Sequence, residues 1–262
     1  MKNLVLMAIL AVLAVAGLAR AEADKITTTL DLSFVSKYIW RGFDLMDDKA
    51  SWQPSVNFDF GNGWNVNVFS AWPGASGSSE WSTVNATNFQ YALLYKNSVD
   101  NGGVKTDYTV GYRFFDYIDM ASNDADLQEV FVELAWPEVI GNGVVPHYAY
   151  YHMWCSEGNG LARKFGGPIH VMGFDYNWTS ECMPELPMKF SWDIVYNDGT
   201  GSSTTAAVDH DWSHMTYGLS TAMSCPWTGG TVTPGVWFQK SMDDSVNNED
   251  ELYAGLSYSI SF

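Results

Sequence analysis

The last eleven residues constrain this chain more than any other stretch. Leu252, Ala254, Leu256, Tyr258, Ile260 and Phe262 share one parity, while Tyr253, Gly255, Ser257, Ser259 and Ser261 share the other. A period of two describes a strand with one apolar face and one small, polar face. The strand runs to the final residue and ends on a large aromatic. A frayed tail gains nothing from such an ending. A strand that closes a barrel with its apolar face toward lipid does. The same alternation suits a strand of a soluble sandwich, so the rest of the chain must decide.

The N-terminus directs the chain out of the cytoplasm. Lys2 precedes an apolar run from Leu4 to Leu18, and Ala19 and Ala21 offer the small residues that a signal peptidase reads. Residues 1–21 are therefore expected to be a signal peptide, with Ala23 marking a second cleavage site, and 22–262 a single domain. No later segment has the uninterrupted apolar length of a spanning helix. The chain carries 13 basic and 30 acidic residues; the leader takes Lys2 and Arg20, leaving 11 against 30 and a net charge of −19. That balance excludes nucleic acid, which needs a basic footprint. Charged residues make up only 16% and aromatics 15%, with 12 Trp. This pairing fits an outer wall that meets lipid and two interfaces. An aromatic-rich, soluble carbohydrate binder is the competing class.

Alternation then recurs along the chain. Ile26, Thr28, Leu30, Leu32, Phe34, Tyr38 and Trp40 continue one face of a first strand, opposite Asp31, Ser33, Lys37 and Arg41, and 42–50 follows as a short acidic loop. Trp52 to Phe60 and Trp64 to Val68 flank Gly61, Asn62 and Gly63, which read as a hairpin turn. Further alternating segments lie near 89–95, 104–114, 128–136, 172–178, 188–196, 215–219 and 232–238. Between 144 and 154 both faces are aromatic, with His147 and His152 on opposite parities, so the inward face stays open there. The total is about twelve strands, within a range of roughly 10 to 14.

Compact turns at 61–63, 97–103 and 137–143 tend to alternate with longer, more acidic loops. That rhythm belongs to an outer-membrane barrel with short periplasmic turns, and an even strand count puts both termini on the periplasmic side. The expected fold is all-β: a single transmembrane, antiparallel, up-and-down β-barrel. Lone charges on the polar parity then line its interior and pair there or face water, because an isolated buried charge is prohibitive. They are Lys37, Arg41, Lys105, Asp107, Arg113, Glu129, Glu133, Asp175, Lys189 and Asp193.

The run Ser36, Lys37, Tyr38, Ile39, Trp40, Arg41, Gly42 resembles the signature near the start of TorF-type porins of Gram-negative bacteria, where a first strand ends in Ser, an aromatic and Arg-Gly. The resemblance implies a small outer-membrane barrel with a pore role. Lys37 departs from the Asp or Asn often found there, which separates shared fold from shared function. Leu256, Tyr258, Ile260 and Phe262 are similar to the general signal read by the barrel insertion machinery.

Lys37 and Arg41 form either an electropositive patch selecting anionic or polar solutes, or one half of ion pairs with Glu129, Glu133, Asp175 or Asp193; pairing is favoured because narrow barrels pack polar side chains inside. Asp44, Asp47, Asp48, Asp243 and Asp244 lack calcium-loop spacing and read as a solvated acidic surface. His147, His152, His170, His210 and His214 form no zinc motif. No nucleophile motif supports an enzyme, and no cofactor or metal is expected. Cys182 and Cys225 fall in periplasmic turns where a bridge is allowed, and Cys155 lies alone outside. The leading expectation is passive diffusion of small hydrophilic solutes across the outer membrane. A plugged structural or adhesion barrel is the alternative within the same fold. The sequence sets no oligomeric state.

Overall fold

The computed structural model describes residues 26–74, 87–156, 166–201 and 208–262. The expected signal peptide and the loop cations Arg163 and Lys164 lie outside them. The strands are β1 (Thr27–Val35), β2 (Ile39–Trp40), β3 (Phe43–Asp44), β4 (Ser51–Asp59), β5 (Trp64–Pro73), β6 (Asn88–Asn101), β7 (Val104–Tyr117), β8 (Leu127–Ala135), β9 (Val144–Cys155), β10 (Gly167–Ser180), β11 (Met183–Asp198), β12 (His210–Thr221), β13 (Met223–Ser224), β14 (Thr231–Ser241) and β15 (Glu251–Ser261). One four-residue helix, α1 (Ser122–Ala125), precedes β8.

Twelve of these strands pair antiparallel with their sequence neighbours. β12 pairs with β14, and β15 with β1, so the ring closes. The terminal strand is the seam: Leu30 faces Ile260, Leu32 faces Tyr258, and Phe34 faces Leu256. Backbone bonds between Thr28 and Phe262 extend the seam to the last residue. Closure leaves the barrel wall without a free edge strand, which is what allows a sheet to cross a bilayer.

The outer wall is apolar. Leu30, Leu32, Leu93, Val130, Leu219, Val236 and Leu256 are all exposed on it. Trp52 and Trp72 pair near the long-loop end, and Trp64 packs at a tilt against Tyr95 near the short-turn end. Two aromatic levels flanking an aliphatic band are the pattern of a wall that meets two lipid interfaces. The short turns are built from left-handed residues, including Gly61 and Gly63, and Gly102 and Gly103. Asp59 and Asn62 side chains accept backbone N–H groups at the first of these.

The structure assigns the face that sequence left open. Along β9, His147, Ala149, Tyr151 and Met153 point inward, because their register partners Gly173, Val171, Ile169 and Gly167 do. His152 points outward among Tyr150 and Trp154.

It also corrects the first segment. β1 ends at Val35 rather than running on through Trp40. Ser36 caps that end, donating its N–H to Ala254 and accepting from the Ala254 N–H. The chain then leaves the wall and enters the barrel. Tyr38, Phe43, Leu45 and Met46 are buried with Ala71, Val208 and Val246. Residues 36–50 are therefore not a plain acidic loop. Their aromatic residues bury surface in the lumen, which outweighs the weak continuation of a period-two pattern.

Candidate functional site

The long loop 36–50 defines the site. Its two short strands, β2 and β3, form a hairpin with Ile39 opposite Asp44 and Trp40 opposite Phe43. Arg41 and Gly42 make the two-residue turn, with φ of 51° and 96°. Two left-handed central residues suit a tight hairpin. At Arg41 that conformation costs about 1–2 kcal/mol, so its side-chain contacts must hold it there.

Those contacts lie across the ring from β1. The Arg41 guanidinium pairs with Glu129 on β8. It lies 3.9 Å above the Tyr151 ring on β9 and 4.8 Å from its neighbour Trp40, and donates to the Met153 sulfur at 3.0 Å. Trp40 packs edge-on against Phe115 of β7. On the near side, Gln239 of β14 donates to the Gly42 carbonyl at 2.9 Å, and Gln90 of β6 donates to the Tyr38 hydroxyl at 3.5 Å. The loop is fastened to both walls and narrows the lumen between them.

Gly42 is required for this crossing. A Cβ there would stand 2.5 Å from the His214 imidazole and 2.8 Å from Val246. His214 reaches that position next to a register shift in β12, where Val195 faces His214 but Tyr196 faces Trp212.

Glu129 is fully buried and serves two cations. Arg113, its cross-strand partner, donates to one carboxylate oxygen at 3.1 Å, and Arg41 pairs with the other. A carboxylate removed from water is tolerable only with such compensation. The Arg113 guanidinium also covers the Phe131 ring at 4.9 Å.

The loop has a second ionic anchor at its base. The Lys37 ammonium donates to Glu251 at 2.6 Å and also pairs with Asp48. Carboxylate oxygens of Asp44, Asp48 and Glu251 lie within 4.8 Å of one another. Burial alone lowers the tendency of Lys37 to hold a proton, but its bonds to Asp48 and Glu251 outweigh this and raise its pKa. Burial likewise pushes the Asp44 carboxyl up, against the N–H groups of Asp48 and Met46 that favour its charge.

Toward the short-turn end the lumen opens into a cavity of about 720 Å³. Lys96, Asp107, Glu133, His147, Asp175 and Asp193 line it. Tyr151 donates its hydroxyl to Glu133 at 2.9 Å, and the Ser98 hydroxyl donates to Asp107. His147 and Asp193 meet at 2.6 Å across β10, directly over Gly173. A Cβ on Gly173 would lie 2.5 Å from the Asp193 carboxylate and 2.7 Å from the imidazole. The glycine is the gap that lets these two side chains touch. Lys189 pairs with Asp175 at 2.8 Å, and Lys105 reaches Glu138 at 3.7 Å.

The interior candidates thus separate by level. Arg41, Arg113 and Glu129 meet at the narrowed level. Asp107, Glu133, Asp175 and Asp193 line the cavity, Lys189 reaches it only through its pairing with Asp175, and Lys105 lies beside the short turns. Lys37 takes neither Glu129 nor Asp193 as its partner; because β1 stops at Val35, it meets Asp48 and Glu251 instead. Tyr151, Gln239 and Glu251 were absent from the sequence expectations, and Trp40 was expected on the outer face of the first strand rather than inside. A buried acid at the first position of β15 was the available signal for Glu251, whereas the aromatic seat of Arg41 depends on the loop's path. Cys155, Cys182 and Cys225 are free thiols, so the Cys182–Cys225 bridge allowed by sequence is not formed here. On the closing strand Leu256 and Phe262 are exposed outward.

No family model and no curated protein matches the chain. Solved structures do. The COG4313 outer-membrane channel from Pseudomonas putida F1 aligns with a TM-score of 0.56 at 9% identity, covering 90% of this chain and 95% of that one. The NanC porin gives 0.54 at 11%, covering 88% and 98%. The fold is that of an outer-membrane channel. The KdgM porin, solved with disordered oligogalacturonate, gives 0.51 at 9%, covering 89% and 99%. The likeness spans nearly the whole of each barrel and concerns the fold. The TorF-type resemblance has no support among these matches beyond the shared fold.

Proposed function

We propose that the protein is an outer-membrane diffusion channel for small hydrophilic solutes, with loop 36–50 as its constriction. The observation that carries the reading is the contrast between the two faces of one closed sheet. Aliphatic and aromatic side chains face outward, while charged and hydroxyl side chains face an internal cavity of about 720 Å³. A soluble sandwich would place its apolar faces inside. A barrel with a polar, water-accessible lumen is arranged for passage, and its inward side chains set what passes. The TorF-type kinship suggested by Ser36 to Gly42 belongs to the same proposal.

A plugged structural barrel is the second reading, favoured by the apolar cluster that Phe43, Leu45 and Met46 form inside the wall. Planar-bilayer recording separates the two. Refolded protein, verified by heat-modifiable migration, should give discrete current steps. A folded barrel that gives none would overturn the channel reading in favour of the plug.

A further inference from the structure

We propose, building on the channel reading, that this pore passes small cations in preference to anions, and that Asp107 and Glu133 set the preference. The inference comes from the partners of the inward-facing charges. Arg41 and Arg113 are both committed to Glu129. Lys37 is held by Asp48 and Glu251, Lys189 by Asp175, and Lys105 by Glu138. The carboxylates are not matched in the same way. Among the described residues, Asp107 and Glu133 have no cation within 4.0 Å; their bonds come from the Ser98 and Tyr151 hydroxyls. Among the same residues, Asp193 is met by His147 and by no Lys or Arg.

These groups belong to one surface. Thr109 stands opposite Glu133, and Asp107 opposite Ala135, so the two carboxylates occupy adjacent inward rows of β7 and β8. His147, Gly173 and Asp193 continue the Asp107 row across β9, β10 and β11. Among the described residues, Lys96, opposite Thr109, faces them without a carboxylate partner. Asp107, Glu133, Asp175 and Asp193 thus outnumber Lys96 and the bound Lys189. The mouth adds Asp44, Asp48 and Glu251 against Lys37. A lumen with low-dielectric walls and one dominant sign concentrates the opposite ion.

The narrowed level does not reverse this. Its two guanidiniums leave one excess positive charge, but Arg41 is sheathed by Tyr151, Trp40 and Met153, and Glu133 stands at the same Tyr151 side chain. The cargo class is therefore small ammonium-bearing or neutral polar solutes. A polyanion such as the oligogalacturonate found with the KdgM porin is disfavoured.

The test is the reversal potential of the full, refolded barrel in a KCl gradient. Wild type should show a potassium-to-chloride permeability ratio above one. Asp107→Asn with Glu133→Gln keeps acceptors for both hydroxyls and should lower that ratio at least about twofold. Lys96→Gln should raise it. The small dication 1,4-diaminobutane should reduce potassium current through wild type more than through the double variant. A wild-type ratio at or below one, or a double variant with unchanged selectivity, would overturn this inference and leave the channel standing. Absence of any conductance would remove the channel reading itself, and this inference with it.

Discussion

Arg41 and Glu129 form an ion pair across the lumen: one lies on a loop that leaves the wall after β1 and turns inward, the other on β8 of the far wall. Glu129 also holds Arg113, so one buried carboxylate ties the inserted loop to the sheet. Glu129→Gln would leave two guanidiniums without their counter-charge. Breaking a buried pair from one side costs ~3 kcal/mol or more. Unfolding of the refolded barrel in guanidinium chloride should show that loss; an unchanged midpoint would mean the pair contributes nothing to holding the loop.

Gly42→Ala tests the same loop through its backbone. The residue has a left-handed φ of 96°, and the added methyl would meet His214 and Val246. The expected cost is about 1–3 kcal/mol, concentrated in the loop. Protease cleavage within 36–50 should accelerate while the barrel fragment stays folded. Cleavage at the wild-type rate would contradict the tight approach.

The two faces of β15 give a test of orientation. Leu256 is exposed at the middle of the strand, and Ser257 points inward between Ser33 and Thr233. Leu256→Arg should destabilise the barrel in vesicles by about 2–4 kcal/mol, the cost of a cation near the bilayer midplane. Ser257→Lys should cost much less because the lumen is wet. Equal effects would contradict the assignment of faces.

Asp250 supplies a pH signature at the long-loop rim. Lys240 and the Ser241 N–H bond to its carboxylate and hold its pKa below the ordinary 3.8. A depressed carboxyl contributes stability that is fully present above 3.8 and is lost as pH falls through the lower, folded value. A carboxyl-carbon NMR titration of the folded barrel should place the Asp250 midpoint under 3.8, with Lys240→Gln moving it upward. A wild-type midpoint at or above 3.8 would remove this contact from the account.

The wall was legible because side-chain direction in a strand depends on parity alone. Leu252 to Phe262 fixed the outward phase, and pairing carried it to Leu32, Trp52 and Trp64. The ambiguous stretch around His147 lacked a polar face of its own, and only its register with Gly173 and Glu133 assigned it. The inserted loop was harder to read for a different reason. Tyr38 and Trp40 extend the parity of β1, yet their burial depends on Phe115, Ala71 and Val246, residues distant in sequence. Likewise Arg41, Arg113 and Glu129 were all expected to face inward, but Arg41 was placed on an extended β1 and instead reaches Glu129 through the hairpin of β2 and β3, which crosses the ring. Local periodicity specifies a surface; it does not specify what folds back into it.

The most direct test of the central claim is single-channel conductance with and without the inserted hairpin. Replacing residues 38–48 by a short Gly-Ser linker, with barrel folding verified by heat-modifiable migration, removes Arg41 and the aromatic cluster while sparing every barrel strand. Larger current steps than wild type are expected under identical salt. Equal steps would contradict a constriction formed by loop 36–50.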